Sequence, residues 1–390
     1  MFPAALICLA GILCLAPGAG AAGERLPTSI DSGLGYLYEF ADPETTTPFE
    51  VERLAKLMAF LLTPRDDGVS IAGRSGAFLE PLAYHEFTVA RSLPFILEYA
   101  HQSGIPPHIL TMGTLRYAYW KGFDDRHPDL PNVSERIGQA ESPFVIRGRE
   151  HEVIAPDPSS GAYYGYDLSR TLIGFRYGKY TVWMSMARQQ NQSDVGRKGY
   201  VLDEENAWHY LYSGEKGITK TGLGWVDSYM YKGFSCSFYI QADDTPNRVK
   251  VAIFKWLRAG WNGMNFVRYK HVREGLQRFG ATMRQIIESP ELPPPAQIQS
   301  VWRQIDGLPL DQLRQINRDY LLALEKHYGK KGTFPRRWFK KQVLKGDYVD
   351  QLTRPQLKAV VFLEYMKGAL GMNPITEPEI LLSYLKSAEP

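Results

Sequence analysis

Glu150, His151 and Glu152 follow one another in a segment that reads as a strand. Neighbours on a strand point to opposite faces, so the two glutamates share one face and the histidine takes the other. Two carboxylates on one face can move protons or hold a cation. A solvated sheet face accounts for them as well. A second cluster, Asp124-Asp125-Arg126-His127-Pro128-Asp129, reads as a loop. Its oxygens suit a hard cation, but Arg126 competes for them and the spacing is not that of an EF-hand. A polar turn has the same composition. Neither spacing is the His-Glu-x-x-His of a zinc helix. The other histidines, His85, His209 and His271 among them, are scattered. No metal-ligand set and no cofactor motif is identified, and no catalytic residue is assigned.

Other motifs fail their context. Gly68-Val69-Ser70-Ile71-Ala72-Gly73-Arg74-Ser75 comes near a phosphate loop, but Arg74 replaces the lysine and no strand precedes it. Ser213-Gly214-Glu215-Lys216 and Lys220-Thr221-Gly222 look like two serine-transpeptidase signatures. They lie too close together, in a Gly-rich turn between strands, for that chemistry. No Gly-x-Ser-x-Gly elbow occurs.

The strongest compositional feature is aromatic. Tyr163, Tyr164, Tyr166, Tyr177, Tyr180, Trp183, Trp208, Tyr210, Tyr212, Trp225, Tyr229, Tyr231 and Tyr239 crowd the middle of the chain. Such side chains join an apolar body to a polar tip, which suits lining a pocket. They are also good strand residues. Tyr164, Tyr166, Trp183, Trp208, Tyr210, Trp225 and Tyr229 are the expected ligand-binding set. Farther along, Lys330, Lys331, Arg336, Arg337, Lys340, Lys341 and Lys345 occur with no acid among them. Arg336 and Lys340, and Arg337, Lys341 and Lys345, step by four onto one helical face, away from Trp338, Phe339 and Val343. A basic amphipathic helix of this kind can lie on an anionic membrane surface. A solvated face with inward aromatics is the other reading.

The elements that must position these residues follow from periodicity. A capping box at Thr47-Pro48-Phe49-Glu50, with Val51, Leu54, Met58 and Leu61, predicts a helix ending before Pro64. A second helix is expected over Tyr84–His101, kinked at Pro94 and stopped by Gly104. From Pro143 the texture changes to short aromatic and β-branched segments: 144–146, 163–166, 180–187, 208–212, 226–240 and 249–257. Period-2 alternation with short connections predicts antiparallel strands. Met264, Val267, Val272, Leu276, Phe279, Met283 and Ile286 then recur at helical spacing, so one long amphipathic helix is expected over 264–288. Ser289 to Pro295 reads as a Pro-rich linker. Beyond it, Leu313, Ile316, Tyr320 and Leu324 form one stripe and 334–344 a shorter helix. A capping box at Thr353-Arg354-Pro355-Gln356 opens another, and 380–385 adds a last turn.

Residues 2–16 are apolar and uncharged and run into small residues, which reads as a secretory signal cleaved near Ala21 or Ala22. No Lys or Arg precedes the run. Cleavage would remove Cys8 and Cys14 and leave Cys236 without a partner, so stability must rest on packing. The chain has 390 residues with 45 Lys+Arg against 42 Asp+Glu, an ordinary globular balance. Seven of those cations belong to 330–345, so the rest of the chain is mildly acidic.

The expected fold class is α+β: an antiparallel aromatic-rich sheet followed by a long amphipathic helix, flanked by N-terminal helices and a C-terminal helical unit. The expected units are a signal peptide over 1–22, a mainly helical and irregular region over 23–142, the sheet and its helix over 143–290, and a helical unit over 291–390. The order of elements in 143–290 resembles helix-grip lipid-carrier domains such as START, and the resemblance implies a lipid-like ligand. The expected function is that of an exported bacterial protein, periplasmic or secreted, that binds an apolar or amphipathic envelope ligand. Two alternatives stay open: an envelope hydrolase using Glu150, Glu152, Asp124, Asp125 and His127, and a non-catalytic envelope interaction protein. An anionic membrane surface is a candidate partner, nucleic acid is not expected, and protein partners are unassigned.

Overall fold

Two apolar layers meet the two faces of a single large sheet. This is seen in a computed structural model that describes residues 26–73, 80–123, 132–138, 142–220, 224–332 and 334–376. In chain order the elements are α1 (Asp31–Phe40), α2 (Ala55–Leu62), β1 (Ser70–Gly73), β2 (Leu82–Val89), α3 (Leu93–Ala100), β3 (Leu115–Phe123) and α4 (Val133–Gly138). Strands follow: β4 (Phe144–Ile154), β5 (Ala162–Tyr163), β6 (Gly165–Tyr177), β7 (Tyr180–Gln189), β8 (Arg197–Val201) and β9 (Tyr210–Lys216). After them come β10 (Ile218–Lys220), β11 (Gly224–Val226), β12 (Tyr229–Ala242) and β13 (Val249–Gly260). The chain continues with α5 (Tyr269–Ile287), α6 (Pro295–Gly307), α7 (Leu310–Tyr328), α8 (Arg336–Phe339) and α9 (Arg354–Ala369). The fold is α+β, with an eight-stranded antiparallel sheet in the order β1-β2-β13-β12-β7-β6-β4-β3. Smaller sheets are β5-β8-β9 and β10-β11.

The long strands are buried on both faces, and alternation assigns each residue to a layer. Val182, Met184 and Met186 of β7, with Cys236 and Phe238 of β12 and Phe254 of β13, pack against α1 and α2 through Leu34, Leu37, Leu57 and Leu61. Trp183, Tyr239, Val251 and Ile253 face the other way, into a core shared with α5, the β5-β8-β9 sheet and the C-terminal helices. The stripe Val272, Leu276, Met283 and Ile286 on α5 is buried in that core. Each such side chain contributes roughly 1.5–3 kcal/mol by leaving water. Gly280 lets α5 sit close on β2, since a Cβ there would lie 2.9 Å from His85 Nε2 and 3.0 Å from Phe87.

Residues before 143 enter the sheet. β2 pairs with β13, β1 with β2, and β3 with β4, so this region is not only helical and irregular. Tyr84 to Val89 is strand, and the expected helix from Tyr84 is corrected to Leu93–Ala100. Seven of the eight residues of β2 are buried, which removes the alternation that marks a strand. Pro94 opens α3 rather than kinking a longer helix, and Ser92 Oγ caps it by accepting from Phe95 N–H at 3.4 Å. The expected helix start at Thr47 moves as well. Glu50 is extended and its N–H donates to Tyr36 Oη at 2.8 Å, while Phe49 packs on Phe40 and Phe175, so α2 is reached only after a 3-10 turn over Val51–Leu54.

The capping box at Thr353 and Gln356 forms and opens α9. α5 begins at Tyr269, five residues after Met264, because Met264 to Arg268 form an irregular entry. The C-terminal helices dock on β9: Tyr320 Oη donates to Tyr210 O at 3.4 Å, and Tyr348 Oη donates to Tyr212 O. The Pro-rich segment is docked too, its Pro293 carbonyl accepting from Tyr99 Oη at 3.1 Å. The signal-peptide region, Asp124, Asp125 and His127, and the turn expected at 380–385 lie outside the described residues. No helix among the described residues is long and apolar enough to cross a membrane.

Candidate functional site

A cavity of about 790 Å³ lies between α5 and the inward face of the sheet. That volume falls in the usual range for small-molecule sites. The floor is the inward row of the central strands: Leu168 and Arg170 of β6, Ser185 and Ala187 of β7, Ser235 and Ser237 of β12. Ile253, Lys255 and Leu257 of β13 continue it. The roof is the underside of α5, with Val272, Gly275, Leu276 and Phe279. Tyr164, Tyr210, Pro107, Leu110 and Leu115 close one side. Serine and alanine on the floor leave the room, because their side chains are too short to reach α5.

One end of the cavity is charged. Glu150 and Glu152 sit on the same face of β4 and line it, while His151 faces away and pairs with Asp167 at 2.8 Å. Arg170 joins the two glutamates. Its Nε donates to Glu150 Oε2 at 2.8 Å and its Nη2 to Glu152 Oε1 at 2.8 Å, while Nη1 reaches Ser185 Oγ at 3.3 Å. Tyr166 Oη donates to the second oxygen of Glu152 at 3.2 Å. Burial pushes Glu150 up to about 7, with Arg170 opposing and Glu152 reinforcing. Burial also raises Tyr166 well above its ordinary value, and the Glu152 carboxylate adds to this. Burial pushes Tyr239 up to about 12 and His101 down to about 3. His101 Nδ1 has no hydrogen-bond partner.

Lys255 rises from the middle of the floor. Burial lowers its pKa, and the Glu152 charge opposes that. At the rim, Trp261 and Phe266 stack at 3.6 Å between ring centroids, with Phe266 41% and Met264 49% exposed.

Of the aromatic residues singled out from the sequence, Tyr164, Tyr166 and Tyr210 line the cavity. Tyr164 Oη pairs with Ser228 Oγ at 3.0 Å, and Tyr210 Oη donates to Gly113 O at 2.8 Å. Trp183 is on the cavity face but is buried beyond its end, against His101 and Phe144. Trp208 occupies a left-handed turn before β9 and packs on Gly113, where a Cβ would lie 2.5 Å from its Nε1. Tyr229 is half-buried beside Tyr231. These three do not line the cavity, because period-2 alternation assigns a face and not a place along it. The Trp225 side chain lies outside the described residues. Arg170, Ser185, Ser235 and Lys255 were missed. For Ser185, Ser235 and Lys255 the signal was present, since each is a polar residue flanked by apolar outward-facing neighbours; Arg170 stands between Ser169 and Thr171 and carries no such mark.

The five cations Arg336, Arg337, Lys340, Lys341 and Lys345 are exposed, on α8 and the π-helical turn Lys340–Leu344 that continues it. Trp338 and Phe339 are buried beneath them. Arg336 Nε donates to Gly329 O. Of the carboxylates considered for hydrolysis, Glu150 and Glu152 are engaged by Arg170. Of the exposed leucines of the C-terminal helices, Leu310 and Leu322 are twelve residues apart on α7, and Leu344 ends the π-helical turn. Among the described residues no three His, Cys, Asp or Glu side chains are grouped to hold a metal ion.

No protein-family model matches the chain, and no curated protein matches it. Among solved structures it is similar to human StAR-related lipid transfer protein 5, at 11% identity and a TM-score of 0.32, over 60% of this chain and 92% of that one.

Proposed function

We propose that this protein binds an apolar or amphipathic small molecule in the cavity between α5 and the sheet. The observation that carries the reading is the cavity itself: about 790 Å³, roofed by Val272, Leu276 and Phe279 of α5 and deepened by Ser185, Ala187, Ser235 and Ser237 in its floor. Fully packed interiors leave few voids larger than a water molecule, so a space of this size asks for an occupant. The charged end supports the same reading, because Arg170 pairs with both glutamates and Tyr166 takes the second oxygen of Glu152, which fixes them as a polar wall. Export from a bacterial cell, after cleavage near Ala21 or Ala22, belongs to this proposal. So does docking of the exposed cations around Arg337 and Lys341 on anionic lipid. The test is native mass spectrometry of gently purified protein with titration of a fluorescent apolar probe. The expected result is a retained adduct or saturable probe uptake at one site. A clean apo mass together with no uptake removes the reading.

A further inference from the structure

The inward row of β13 runs Ile253, Lys255, Leu257, while Phe254 and Trp256 point into the opposite layer. A lysine in such a row is costly, because burial strips water from its ammonium. Buried cations are normally paired, and Arg170 is paired here. Lys255 is not: among the described residues no hydrogen bond or ion pair engages its ammonium. The nearest strand neighbours offer it no charge, since the register sets it beside Ser235 on β12 and Ala83 on β2. Each glutamate is already paired with a cation, and Glu152 has both oxygens engaged: Arg170 holds an oxygen of each, and Tyr166 holds the remaining oxygen of Glu152.

An unpartnered donor in a cavity wall is a demand for an acceptor from outside the chain. The cavity states what else that acceptor must carry, since Leu168, Leu257, Val272, Leu276 and Phe279 give one part of its wall over to hydrocarbon, with Asp157, Lys198, Glu205 and Arg278 elsewhere in the lining. Resting on the reading of the cavity as a ligand site, we propose that Lys255 anchors the head group of that ligand, and that the head group is a carboxylate on an aliphatic chain. The ammonium donates to the carboxylate oxygens, and the chain lies along the underside of α5. A charge-assisted hydrogen bond is stronger than one to a neutral hydroxyl, so the acid is preferred over its alcohol.

The experiment compares cis-9-octadecenoate with the matching alcohol and methyl ester by displacement of a fluorescent apolar probe from the full chain. Wild-type protein is expected to bind the acid at least about tenfold more tightly than the alcohol. Lys255→Met removes the charge at similar length, and it is expected to abolish the preference while alcohol affinity stays within about twofold. Lys255→Arg is expected to keep the preference. Equal binding of acid and alcohol by wild type overturns the anchor and leaves the cavity reading standing. An acid preference that survives in Lys255→Met overturns Lys255 as the anchor. Failure of the probe itself to bind wild type removes the cavity reading, and the anchor with it. If Lys255→Met does not fold, Lys255→Gln, which keeps a polar tip without the charge, takes its place with the same expected loss of preference.

Discussion

Arg170 grips Glu150 across the β4–β6 pairing, its Nη2 at 2.7 Å and its Nε at 2.8 Å from the same carboxylate oxygen. The two residues are not directly opposite, for Arg170 is in register with Gly148 and Glu150 with Leu168, so the guanidinium crosses the sheet diagonally. It reaches Glu152 from the same position. One cation thus serves two carboxylates at the closed end of the cavity. Arg170→Met strands both, and the expected cost is about 3–5 kcal/mol of unfolding free energy. Glu150→Gln removes only one charge and is expected to cost much less. Chemical denaturation of the two variants checks the order.

The same pair sets a pH dependence. Burial holds Glu150 near 7, above its ordinary 4.5, with Arg170 opposing. Between those values the unfolded chain releases this proton and the folded protein keeps it. The stabilisation is full below about 4.5 and is lost as pH rises through about 7. Glu150→Gln is therefore expected to flatten this component of the stability–pH curve, measured by urea unfolding across that window.

Three histidines, His108 and His209 buried and His101 half-buried, act in the opposite sense. Burial pushes His101 down to about 3, and His108 and His209 down to about 4, from an ordinary 6.5. Each is neutral when folded and charged when unfolded in that interval. Their contribution is present above about 6.5 and is lost as pH falls toward about 4. Calorimetric unfolding near the middle of the window, in buffers of different ionisation heat, is expected to show proton uptake. His108→Gln is expected to reduce it.

Two glycines on α5 should respond oppositely to alanine. A Cβ at Gly280 would press on His85 and Phe87, and the helix must lift, for about 1–3 kcal/mol of destabilisation. At Gly275 the nearest atom to such a Cβ is Arg278 Nη2 at 3.9 Å, so Gly275→Ala is expected to stabilise by about 0.5–1 kcal/mol through helix propensity. Thermal melts of both variants give the comparison.

At the end of α9, Glu364 and Lys367 form a fully buried ion pair at 2.7 Å. The second oxygen of Glu364 accepts from Ile375 N–H, and from Thr376 N–H at 2.8 Å. Glu364→Ala leaves the Lys367 ammonium buried alone and frees both amides. The expected loss is about 3–5 kcal/mol, with faster hydrogen exchange at residues 375 and 376.

Much of the architecture was legible in order. The alternation of Val182, Met184 and Met186 against Trp183 and Ser185 marks β7, and the stripe from Val272 to Ile286 marks α5, because side-chain period follows directly from backbone geometry. The placement of Glu150 and Glu152 on one face was legible for the same reason. β2 was not, since a strand buried on both sides has no alternation to show. Nor was the start of α2, where Phe49 and Glu50 are held by Tyr36, Phe40 and Phe175 rather than by their own capping signal.

By itself the sequence determined the strand-then-helix order from residue 143 onward and which residues of those elements share a face, both consequences of short-range stereochemistry. Tertiary structure alone decided that Arg170, twenty residues after Glu150, closes one end of a cavity, that Trp183 falls beyond that end, and that Lys255 meets no partner inside it. Those outcomes depend on strand register and on where α5 leaves the sheet. Both arise from packing among residues far apart in the chain, which no local spacing records.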